Sequence, residues 1–175
     1  MNGRQIGGLI GAVGGLVFVL ANAGELPAST TLRVVGVVAF VAVVAWLVLR
    51  TPEAPPVPSP AALRIYWTCV IGELVSIPAG AAVLRRLDHA ELVPSWVVLV
   101  VGVHFVPFAQ AFKVPLFRTL GLVLVAIAAL GMAGTLLGFD DGVPLAAVVA
   151  GFVLFTAVYA GSRDPAVNTA TGARS

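Results

Sequence analysis

Glu73 and His104 are the two side chains best able to do chemistry where water is absent, since each stands in the middle of a long apolar run. Glu73 follows Arg64 by nine residues and precedes Arg85 by twelve, while His104 precedes Lys113 by nine. Two residues of an antiparallel helix pair share a depth when they are equidistant from the turn. Positions 73 and 104 are symmetric about 88.5, inside Arg86-Leu87-Asp88-His89-Ala90-Glu91, so a hairpin sets them level. An ionised group at a bilayer centre costs from ~3 to more than ~10 kcal/mol, which makes an acid at that depth a functional candidate. Desolvation favours the neutral form of each group and their mutual attraction favours the charged forms. A pair sharing one proton is the equipment of a proton relay or a proton-coupled cation site. The alternative is structural: a neutral Glu73, hydrogen-bonded to His104 or to a freed carbonyl, holds a kinked hairpin together.

Prolines stand close to both residues. Pro78 lacks the N–H that the Leu74 carbonyl would use, and Pro107 does the same to Val103. Positions 74 and 103 are also symmetric about 88.5, so a carboxylate, an imidazole and two loosened carbonyls are expected at one depth. Cys69, Glu73, Ser76 and Gly80 fall at i, i+4, i+7 and i+11, a small and polar stripe predicted to face the bundle interior. His104 and Phe108 share a face of the next helix.

Other chemistries find less support. Cys69, Glu73 and His104 offer three donors of mixed softness with no second membrane-embedded His, so neither a metal nor another cofactor is expected. One cysteine permits no intrachain disulfide, and as a nucleophile it would have only His104 as base. Arg64, Tyr66, Trp67, Gln110, Lys113 and Arg118 form a rim that suits an anionic lipid head group, although such residues also serve as ordinary interfacial anchors. No acid joins that rim, which weighs against a lipid-modifying enzyme.

The elements that must position these residues follow from composition. A chain 59% hydrophobic and 10% charged has too few polar side chains to cover a water-facing surface. Six apolar runs, at 6–23, 32–49, 65–84, 93–112, 119–138 and 143–161, approach or reach the ~20 residues that cross a ~30 Å hydrocarbon core. With no period-2 alternation they read as helices, because backbone polar groups in lipid must be satisfied within the segment. The expected fold is all-α: one compact six-helix integral membrane bundle over residues 1–161.

Basic residues set the expected orientation. Arg4, Arg50, Arg64, Lys113, Arg118, Arg163 and Arg174 fall on one side and Arg33, Arg85 and Arg86 on the other, which places both termini in the cytoplasm. The net charge of +2 is therefore topogenic, and nucleic acid is not an expected partner. Nine of the ten bases are Arg and the chain is rich in Ala, Gly and Val, a composition that fits a GC-rich bacterial genome and a bacterial cytoplasmic membrane. Residues 1–23 also imitate a signal peptide, with Ala21-Asn22-Ala23 as the cleavage site. Cleavage would leave the orientation of the pair unchanged.

Gly3, Gly7, Gly11 and Gly15 make a ridge at i+4 spacing, with Gly8 and Gly14 beside it. Ridges of this kind pack helices in lipid, within one chain or between copies in a homo-oligomer. Gly134 and Gly138, Ala147 and Gly151, and Ala157 and Gly161 repeat the spacing. Five prolines between Thr51 and Pro60 make residues 51–62 a stiff linker that sets helices 1 and 2 apart, leaving helices 3 to 6 as the working unit. Residues 162–175 read as a disordered tail. A short match between Leu32-Arg33-Val34-Val35-Gly36 and Phe117-Arg118-Thr119-Leu120-Gly121 hints at a 3+3 repeat, which the flanking helices do not support. The leading functional expectation is a small proton-linked transporter or channel-like protein for an unknown solute or ion. The alternative is a non-catalytic scaffold or accessory subunit, among membrane lipids.

Overall fold

The computed structural model describes residues 3–49 and 59–163, and it is all-helical there. The elements are α1 Gly3–Asn22, α2 Ser29–Leu49, α3 Pro60–Arg86, α4 Val93–Ala111, α5 Pro115–Leu136 and α6 Gly142–Arg163, with 3-10 turns at Ala23–Glu25 and Ala90–Leu92. All six are long and apolar enough to cross a membrane.

α3 is the longest, at 27 residues, because it starts well before its apolar run. Pro60 stands at its first turn, where a missing N–H costs nothing, and Ser59 caps it by accepting from the Ala62 amide at 3.2 Å. Arg64 and Arg85 lie about 32 Å apart along this helix at ~1.5 Å per residue, close to the hydrocarbon thickness. Its first residues thus come from the expected linker 51–62, of which residues 51–58 lie outside the described residues. α3 runs through Pro78 and α4 through Pro107 without interruption.

Three helices end alike. Asp88, Lys113 and Gly138 take positive φ values of 58°, 55° and 91°, and the next amide reaches back five residues: His89 to Leu84, Val114 to Ala109 and Phe139 to Gly134. This is the left-handed helix stop that satisfies the last carbonyls. Gly138 is therefore a cap, not part of a packing ridge.

α6 occupies the centre. It packs against α1 and α5 along much of its length and touches α2 and α4, while α2 lies outside α1 and α4 lies beyond α5. Three crossings are made glycine to glycine, which lets backbones approach. A Cβ on Gly15 would stand 2.8 Å from the Gly151 carbonyl oxygen, one on Gly102 3.0 Å from that of Gly121, and one on Gly142 2.9 Å from that of Gly131. Gly11 and Gly8 face Val158 of α6, and Gly8 also meets Leu47. Gly8, Gly11 and Gly15 are thus used inside the chain, whereas Gly7 and Gly14 have open space before them.

One sequence expectation is corrected here. Helices 1 and 2 are not set apart, since α1 is fastened to the most buried helix; the helix that stands apart is α3, which packs on α4 and the turn before it. The 3+3 repeat that the flanking helices do not support would make α3 and α6 equivalent, and one is the least buried helix and the other the most. Ser162 and Arg163, the first two residues of the expected tail 162–175, belong to α6. Trp46 Nε1 donates to Ser162 Oγ at 2.7 Å, and Arg163 stacks on Trp46, so α6 continues to Arg163. Residues 164–175 lie outside the described residues.

Candidate functional site

Hairpin geometry brings Glu73 and His104 together as the symmetry of their positions requires. Glu73 is the fourteenth of 27 residues in α3, and its Oε2 lies 2.7 Å from Nδ1 of His104. The enclosed Nδ1 is thus in close contact with the carboxyl group without a formed hydrogen bond. The side chains are 26% and 17% exposed, respectively. Among the described residues α3 packs chiefly on α4, so the pair lies at a two-helix edge of the bundle.

The polar stripe points at α4. Cys69, Glu73, Ser76 and Gly80 are all half-buried, whereas Trp67, Ile71, Leu74, Val75 and Val83 project outward. The stripe therefore meets one neighbouring helix at the bundle's edge, which corrects the expectation that it faces the interior. The expected cluster of carbonyls is replaced by another contact. Trp96 Nε1 donates to the Ser76 carbonyl at 3.0 Å, and its indole fills the space that a side chain on Gly80 would need. Leu74 and Val103 turn their side chains outward, at 73% and 54% exposure, and neither carbonyl takes a bond from across the pair among the described residues. Pro78 is exposed and Pro107 half-buried.

An aromatic cluster closes the other side of the pair. The His104 ring stacks on Phe105 at 4.6 Å and meets Phe108 edge-on at 4.9 Å. Phe108 stacks on Tyr66 of α3 at 5.6 Å and contacts Phe112, while Phe105 contacts Phe117 of α5. Glu73 and His104 are thus held between Trp96 toward the α3–α4 turn and this cluster toward the opposite end. Sequence reasoning passed over Trp96, Phe105 and Phe117. The spacing of Phe105, Phe108 and Phe112 at i, i+3 and i+7 was the available signal.

Arg64, Lys113 and Arg118 are all exposed at the end of the bundle where α3 begins, and Lys113 is the cap residue of α4. Three or more His, Cys, Asp or Glu side chains in metal-binding proximity do not occur among the described residues.

Six helices long and apolar enough to cross a membrane are consistent with a helical multi-pass membrane protein. No family model, curated protein or solved structure matches the chain.

Proposed function

We propose that the protein is a small proton-linked transporter or channel-like protein, in which Glu73 and His104 hold and pass one proton at mid-depth. The observation that carries this reading is the 2.7 Å approach of the two groups in the middle of apolar spans. A carboxylate and an imidazole in contact can hold one proton with no net charge, either as a carboxylic acid beside a neutral imidazole or as an ion pair. Trp96 and the Phe108 cluster would separate the pair from water at the two ends, so that it loads only when one barrier shifts. Seven basic residues against three favour a cytoplasmic side that holds both termini. The cytoplasmic membrane is the compartment that fits this composition. The open faces of Gly7 and Gly14 would suit a second copy.

The test is proton flux into proteoliposomes under an imposed potential and pH gradient, for the wild type, Glu73→Gln and His104→Ala. Flux present in the wild type and lost in both correctly folded variants supports the relay. Flux unaltered by either variant overturns it.

A second reading is favoured by the edge position of α3. A helix with a single helical neighbour leaves its outer face for lipid or another protein, as in an accessory subunit, and the pair then serves to hold α3 on α4. In that case both variants lose stability and carry no flux phenotype.

A further inference from the structure

At the end of the bundle where α3 starts, α6 finishes beside the beginning of α5, and the two helices leave an open groove of about 350 Å³ lined by Leu116, Tyr159, Ala160 and Arg163. The Arg163 side chain is held over two rings, with its guanidinium carbon 4.7 Å from the centre of Tyr159 and 5.4 Å from that of Trp46. Those rings are themselves fixed. They pack 5.0 Å apart, Trp46 Nε1 donates to Ser162 Oγ, and that hydroxyl donates to the Tyr159 carbonyl at 2.6 Å. Stacking uses the face of a guanidinium and leaves its in-plane N–H donors available to a two-pronged acceptor.

Among the described residues, no such acceptor comes from the chain. Among the described residues the acids are Glu25, Asp88, Glu91, Asp140 and Asp141 at the opposite end and Glu73 at mid-depth, and Arg163 makes no ion pair. Exposed Arg64, Lys113 and Arg118 add positive charge at the same end. The rest of the groove is apolar, formed by Leu116 and Ala160, and the Leu116 side chain would stand 3.2 Å from a Cβ on Gly161. A cationic fork at the membrane surface above an apolar slot fits a phosphate joined to a hydrocarbon chain better than it fits a free anion.

We propose that Arg163, oriented by Tyr159 and Trp46, binds the phosphodiester of an anionic phospholipid, with the start of an acyl chain lying against Leu116 and Ala160. This site is separate from the Glu73–His104 pair and does not depend on it. It also differs from the rim of Arg64, Lys113 and Arg118, which supply only a diffuse attraction.

The experiment is a native mass spectrometry titration of the full chain, delipidated in neutral detergent, with dioleoyl phosphatidylglycerol, dioleoyl phosphatidylcholine and inorganic phosphate. Loss of a charge-assisted pair of hydrogen bonds predicts that Arg163→Gln weakens phosphatidylglycerol binding about tenfold. Arg163→Lys should also weaken it, because a point charge cannot replace the fork. Arg85→Gln, exposed at the opposite end of α3, should leave the affinity nearly unchanged, and phosphatidylcholine should bind the wild type about tenfold more weakly than phosphatidylglycerol. Equal binding of the two lipids, or equal losses in Arg163→Gln and Arg85→Gln, would overturn the site. Inorganic phosphate displacing phosphatidylglycerol at matching concentration would show a soluble-anion site and overturn the lipid assignment. Arg163 is exposed at a helix end, and unchanged thermal unfolding of each variant secures the comparison.

Discussion

The indole N–H of Trp96 donates to the Ser76 carbonyl at 3.0 Å, and the ring sits in the notch of Gly80, so one side chain of α4 fastens the most peripheral helix one turn from Glu73. Elsewhere α1, α6, α5 and α4 meet backbone to backbone through glycine pairs. α3 meets α4 through a ring in a notch, and its attachment is correspondingly local.

Trp96→Phe keeps most of the ring and removes the donor, and should cost about 1 kcal/mol, the scale of an interhelical hydrogen bond in lipid. Gly80→Val must displace the indole and should cost more, about 2–3 kcal/mol, as overpacking does. Reversible unfolding in mixed micelles measures both. Trp96→Phe behaving as the more damaging of the two would mean that the notch does not hold the ring.

The glycine crossings make an asymmetric prediction about α1. Gly15→Val collides with the Gly151 carbonyl and Phe155 and should destabilise the monomer by roughly 2 kcal/mol or more. A Cβ on Gly7 or Gly14 would meet nothing within 4 Å, so Gly7→Ala and Gly14→Ala should leave monomer stability nearly unchanged. Any effect they have on size by light scattering would locate a contact between copies on that face.

Partial exposure of Glu73 at a two-helix edge predicts attack from the lipid. A hydrophobic carbodiimide should label Glu73 in membranes ahead of the loop acids. Peptide mass mapping reads the site. An unlabelled Glu73 in a chain labelled at Asp140 or Asp141 would place the pair out of reach of the bilayer.

Six spans with the basic residues gathered at one end predict that both chain termini face the cytoplasm. Fluorescent-protein fusions should be bright at either terminus, and alkaline phosphatase fusions active only after residues in the α1–α2, α3–α4 and α5–α6 turns. Activity at Lys113 would reverse the orientation.

Much of this molecule was legible from local pattern. Hydrophobic run length specifies six helices because a lipid-buried backbone has no partner except its own carbonyls. The contact between Glu73 and His104 followed from counting residues on either side of one turn, because a tight antiparallel hairpin leaves little freedom in register. Neighbour relations were not legible. Every helix here is apolar on most of its surface, so the pattern that orients a helix in water carries no instruction in lipid. Which helix lies beside which was decided by close packing at particular glycines. Gly15 accepts Gly151, Gly102 accepts Gly121, and Gly80 accepts the Trp96 ring. The sequence alone therefore determined what the helices are and which two polar groups share a depth. Only the tertiary structure decided that those groups lie at an edge, because shape complementarity between distant segments has no signature within either one.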